Sequence, residues 1–162
     1  MKKTALLLSL AALSLGGCGF TPLYGVPGVS SDLSAISVTA PQGRTGFLLR
    51  HSLDDAFARN GAAPPVYKLA LNISEQKIPR GVRVDNVANR YELVLTVNYL
   101  LTTAAGAPAR NGRVTASVTY DSADQPYASI AAEQDGQERA AVEAARQISV
   151  DLATWMANRR PA

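Results

Sequence analysis

Residues 91–101 read YELVLTVNYLL, and every second residue is apolar: Tyr91, Leu93, Leu95, Val97, Tyr99 and Leu101. No other stretch restricts the fold so tightly. Side chains alternate between the two faces of a β-strand, so a period of two marks a strand buried on one side. Glu92, Thr96 and Asn98 fall on the other side. A long strand of this kind belongs in a sheet that is covered on one face and left open on the other.

Three further segments repeat the pattern. In residues 34–39, Ile36 and Val38 oppose Ala35, Ser37 and Thr39. After Pro64 and Pro65, Tyr67, Leu69, Leu71 and Ile73 oppose Lys68, Ala70, Asn72 and Ser74. Past the loop AAGAPARNG, which reads as a hairpin connection, Val114, Ala116, Val118 and Tyr120 oppose Arg113, Thr115, Ser117 and Thr119. The segment from about 75 to 89 is polar and reads as a loop.

Two segments carry helical periodicity instead. Thr45 is placed to cap a helix ending near Asn60 and Gly61, with Leu49, Leu53, Ala56 and Phe57 on one face. Residues 127–159 contain no proline, and Ala141, Ala145, Ile148, Leu152 and Trp155 form one apolar stripe. Asp135 and Arg139 are spaced for an ion pair along that helix. Gly136 weakens it by ~1 kcal/mol relative to alanine. The order βαβββα predicts an α+β two-layer sandwich. Two helices cover one face of a four-stranded sheet, and the other face meets water or a partner.

The chain's start makes a separate demand. Lys2 and Lys3 precede residues 4–15, which are leucine and alanine apart from Thr4, Ser9 and Ser14; Gly16, Gly17 and Cys18 follow. A basic start, an apolar run and small residues make a secretory signal. The run is too short to cross a bilayer, which takes ~20 residues. Leu15-Gly16-Gly17-Cys18 resembles a bacterial lipobox, in which the cysteine is diacylated and the signal is cut before it. The other reading is ordinary signal cleavage nearby, with Cys18 left as a free thiol. The chain has one cysteine, so a disulfide within it is excluded and metal binding lacks a thiolate partner. The organisation expected is a signal peptide over 1–17, a lipidated cysteine and flexible tether over 18–32, and a single domain over 33–160. Gly19 follows the cysteine where enterobacterial lipoproteins kept at the inner membrane have Asp, which favours the outer membrane.

Charge and site chemistry argue against catalysis. Of 16 basic residues against 13 acidic ones, Lys2 and Lys3 leave with the signal. The remaining chain is nearly neutral and has no global field for nucleic acid. His51 is the only histidine. Ser52 points about 100° away from it on a helix, so no triad geometry forms with Asp54 or Asp55. No Gly-x-Ser-x-Gly elbow, P-loop or metal-ligand spacing is present. No catalytic residue, metal or cofactor is predicted. One local charge feature remains, EQKIPRGVRVDNVANRYE, with Lys77, Arg80, Arg83 and Arg90. Its bland reading is a solvated loop. Its sharper reading is a basic edge for phosphates or carboxylates, which arginine forks grip bidentately. Arg110 and Arg113 could extend it.

With these residues in place, CGFTPLYG after the lipobox resembles the mature start of the alphaproteobacterial LPS-assembly lipoproteins of the LptE family. The helix YASIAAEQDGQERAAVEAARQISVDLA is similar to that family's C-terminal helix. The resemblance implies a four-stranded sheet packed with two helices, and lipid attachment at Cys18. It implies a place at the cell outer membrane with the β-barrel LptD, as a plug in its lumen and a partner in its assembly. There the complex delivers lipopolysaccharide to the outer leaflet, which makes lipopolysaccharide a ligand for the Lys77, Arg80, Arg83 and Arg90 segment to be tested against. The competing expectation is a stand-alone envelope lipoprotein that binds an anionic ligand or acts as a spacer.

Overall fold

The computed structural model describes residues 27–59, 61, 64–82, 88–122 and 125–159. In chain order these form α1 (Val29–Ser34), β1 (Ile36–Thr39), α2 (Arg44–Ala56), β2 (Tyr67–Val82), β3 (Ala88–Thr103), β4 (Pro108–Asp121) and α3 (Pro126–Asn158). The strands make one mixed sheet in the order β1-β2-β3-β4. β1 runs parallel to β2, with Ile36 opposite Tyr67. A parallel pair needs a crossover, and α2 provides it. β2, β3 and β4 run antiparallel, with Leu71 opposite Tyr99 and Val97 opposite Val114.

The alternation read from the sequence sorts the sheet's faces. Leu69, Leu93, Leu95, Val97 and Leu101 are fully buried, and Leu71, Tyr99, Ala116 and Tyr120 nearly so. Over them lie Leu49 and Leu53 of α2 and Phe57 just beyond its end. α3 contributes Ile148, Leu152 and Met156, with four alanines, Ala140, Ala141, Ala144 and Ala145, packed among them. Small side chains let α3 lie close to both α2 and the sheet. The buried face of α3 is therefore broader than a single stripe, and Trp155 sits at its margin, partly exposed.

Several boundaries differ from expectation. The stretch assigned to a tether over 18–32 takes in the first four residues of α1, whose Val29 and Leu33 are buried at 0% and 2% exposure. Six residues with no side-chain cap make a poor helix alone. α1 is held by burying those two side chains in the core beside α3. Thr45 is not a cap. Gly43 precedes α2 without a side-chain cap, and Thr45 Oγ1 donates instead to Glu75 Oε2 at 2.6 Å. α2 ends at Ala56, and Ala56 is exposed. The loop expected over about 75–89 is mostly strand. β2 continues through Pro79 to Val82 because β3 pairs with it all the way, Lys77 opposite Leu93 and Pro79 opposite Tyr91. Register shifts mark the Pro79, Gly81 and Val82 stretch, where proline has no amide to donate.

The resulting molecule is long. The 16 residues of β2 and the 33 of α3 each extend ~50 Å at ~3.3 Å per strand residue and ~1.5 Å per helix residue. Among the described residues no helix is long and apolar enough to cross a membrane.

Candidate functional site

The parity of the strands decides where each predicted cation points. Lys77 shares the covered face with Leu69, Leu71 and Ile73. Its Nζ lies 2.6 Å from Glu133 Oε2 on α3, and 4.6 Å and 5.7 Å from the Tyr91 and Tyr120 ring centroids. The Glu133 hydrogen bond lifts the Lys77 ammonium to about 12, against an opposing cost of burial. Arg80 and Arg90 face the open side. Arg80 Nε donates to Glu92 Oε2 at 2.6 Å, and Ser117 donates to the other Glu92 oxygen. Ser117 first and Arg80 second hold the Glu92 carboxyl below its usual range. Arg90 Nε donates to Asp121 Oδ1 at 2.7 Å, which lowers the Asp121 carboxyl and raises the guanidinium.

The basic segment is therefore divided between two faces of the β2–β3 hairpin. Arg80 and Arg90 are brought together on one face, Lys77 is committed to the other, and Arg83 lies outside the described residues, as does Cys18. Arg110, on the covered face, grips Asp151 of α3 through Nη2 at 2.9 Å. Arg113 is on the open face opposite Asn98. His51 Nε2 pairs with Asp55 Oδ2 at 3.6 Å on the surface of α2, and its ring stacks on Phe47.

The open face itself is the larger feature. Asn72, Ser74 and Gln76 of β2, Thr96 and Asn98 of β3, and Thr115, Ser117 and Thr119 of β4 present short polar side chains along it. A shallow cavity of about 240 Å³ lies among Ala70, Asn72, Asn98 and Leu100, with Leu100 41% exposed. Lys68 and Arg113 flank it by register, and among the described residues neither is tied to a carboxylate. Sequence reasoning passed over Lys68. The usable signal was its parity, which puts it on the polar face, away from the apparent basic run.

The profile of a family described as LptE, lipopolysaccharide-assembly, matches residues 33–152. The chain belongs to the LptE family.

A lipoprotein of known structure from Caulobacter crescentus CB15 is 59% identical, covering 83% of this chain and 99% of that one, with a TM-score of 0.73. The rare lipoprotein B from Shewanella oneidensis shares the fold at 14% identity, with a TM-score of 0.57 over 76% of this chain and 95% of that one. A minor lipoprotein from Acinetobacter baumannii does so at 17% identity, with a TM-score of 0.52 over 78% and 91%. No curated protein sequence matches the chain. Membership makes this LptE chain a lipopolysaccharide-assembly protein. The matched span contains the open sheet face and the Arg80 and Arg90 hairpin. Cys18, α1 up to Asp32, and Trp155 lie outside it.

Proposed function

We propose that this LptE chain is anchored in the outer membrane through an acylated Cys18. It acts there as the plug and assembly partner of the LptD β-barrel, which passes lipopolysaccharide to the outer leaflet. The observation that carries this reading is the uncovered sheet face, joined to family membership. A long face of serine, threonine and asparagine suits the polar wall of a barrel lumen. Of the cations on that face, Arg80 and Arg90 carry their own carboxylate partners, Glu92 and Asp121, which leaves Lys68 and Arg113 to be met by acidic or polar groups of the lumen wall. The role is one of shape and binding, with no catalytic step.

Arg80 and Arg90, with Arg83, are the proposed contacts for lipopolysaccharide phosphates or acidic groups. Lys77 ranks behind them in this reading, because its ammonium already faces Glu133 and the Tyr91 and Tyr120 rings on the covered side. A phosphate would exchange for Glu92 and Asp121 on exposed guanidiniums, where ion pairs are worth little and are easily replaced.

The test is affinity purification of the tagged full-length chain from outer membranes. One heat-modifiable barrel should copurify in stoichiometric amount, and purification of the chain alone would overturn the plug reading. Arg80→Glu with Arg90→Glu should weaken lipopolysaccharide binding, more so in low salt, while the barrel still copurifies. Loss of the barrel with lipopolysaccharide binding intact would reassign these arginines to the barrel interface.

A further inference from the structure

At the end of the sheet opposite the Arg80 hairpin, α1 and the last turn of α3 leave a notch. Its volume is about 200 Å³, and Asp32, Tyr67, Trp155, Met156 and Arg159 line it. Met156, 3% exposed, is the most deeply buried of them. Tyr67 and Trp155 meet edge to face, with centroids 6.5 Å apart and planes at 80°. The Arg159 guanidinium lies 4.5 Å from the Trp155 ring centroid. Two aromatic walls at right angles, with an apolar base, are the geometry that receives a proline-containing extended segment.

The chain brings such a segment to the place. Residues 20–24 are Phe, Thr, Pro, Leu and Tyr. Gly28, at φ 85°, turns the chain into α1 in a conformation that favours glycine. Asp32, on the notch, donates its backbone N–H to the Gly28 carbonyl at 3.0 Å. The described chain thus starts within one helical turn of the notch. Tyr24 precedes Pro27 by three residues, a reach of ~10 Å at ~3.3–3.6 Å per residue. A segment tethered this closely is present at a high effective concentration, with no partner to recruit.

The geometry points to residues 20–24 as the occupant of this notch, with Pro22, Leu23 and Tyr24 against Tyr67 and Trp155. The apolar motif between the lipidation site and the domain is then a docking segment and not a plain tether. Its seating does not depend on acylation of Cys18; its consequence does. With the segment seated, the anchor leaves the molecule beside Tyr67 and Trp155. The Arg80 and Arg90 hairpin is then held at the far end, ~50 Å away along β2.

Trp155 is the chain's only tryptophan, so its fluorescence reports on the notch. In the full-length chain in detergent, Leu23→Ser with Tyr24→Ser should red-shift Trp155 emission and raise its acrylamide quenching severalfold. The circular dichroism should stay unchanged. Unchanged quenching would overturn the proposal. A photo-crosslinking residue at Tyr24, in the chain as it sits in its own membrane, gives a second measure independent of that double change. Crosslinking to the α3 peptide containing Trp155 within the same chain supports the seat. Crosslinking to a second copy, to another protein or to lipid alone overturns it, as would occupation of the notch by Pro161 from the other terminus.

Discussion

Gly112 on β4 stands opposite Tyr99 on β3, and the Tyr99 phenol fills the space where a Cβ on Gly112 would be. From there the Tyr99 hydroxyl donates to Asp151 on α3, and Arg110 Nη2 reaches the same carboxylate at 2.9 Å. One glycine thus permits a polar cluster that ties β3, β4 and α3 together. At an unconstrained strand position, alanine is better than glycine. Here Gly112→Ala should destabilise by about 1–3 kcal/mol, the usual cost of overpacking. Urea unfolding checks it, and a stabilised variant would show that the Tyr99 ring moves aside freely.

The burial of α3 makes a second measurable demand. Leu152 is fully buried, and truncating such a leucine costs about 2–5 kcal/mol. Leu152→Ala should fall in that range, whereas Arg146→Ala, on the exposed side, should shift the urea midpoint far less. Equal shifts would mean that α3 does not present this face to the sheet.

Stability should decline at both ends of the pH range. Burial, then the Asp151 hydrogen bond, pushes the Tyr99 phenol from 10.0 to about 12. Lys77 rises from 10.5 to about 12 through Glu133. A group held protonated in the fold stabilises it below the unfolded pKa and loses that contribution as pH climbs through the folded value. The alkaline loss therefore lies between about pH 10 and 12, and Tyr99→Phe should reduce it. Arg146, then Gln147, lowers Glu143 from 4.5 to about 2. That contribution is present above pH 4.5 and disappears towards pH 2. It is small, because both side chains are solvated. Urea midpoints across pH for wild type, Tyr99→Phe and Glu143→Gln separate the two limbs.

Acylation of Cys18 is the simplest expectation to test. Labelled palmitate should enter the wild-type chain and be absent from Cys18→Ser. Equal labelling of both would end the lipoprotein reading for this chain.

The β2–β3 hairpin shows why the basic segment reads as a loop in the sequence and is mostly strand in the fold. Pro79 and Gly81 are turn residues by local preference, so IPRGV reads as loop. Paired with Tyr91 and Arg90 of β3 it is strand, since a ladder partner can carry a strand past poor local propensity. Once it is strand, parity sends Lys77 to the helices and Arg80 to the open face. α1 escaped notice for a related reason: its six residues are too few to show a period, and the burial of Val29 and Leu33 that helps hold it comes from packing beside α3.

What the sequence alone determined is what depends on near neighbours along the chain. The period-two alternation assigned the faces of all four strands, the period of α3 marked its buried side, and the family motif stood in consecutive residues. What only the tertiary structure decided depends on residues distant in sequence. Gly136 looks like a flaw in α3, yet a Cβ there would come within 3.1 Å of Tyr120 Cδ1, so its absence lets the helix approach the sheet. The length of β2, the room made by Gly112, and the separation of Lys77 from Arg80 follow equally from partners across the ladder. Periodicity records which side of an element is buried; it holds no record of what is packed against that side.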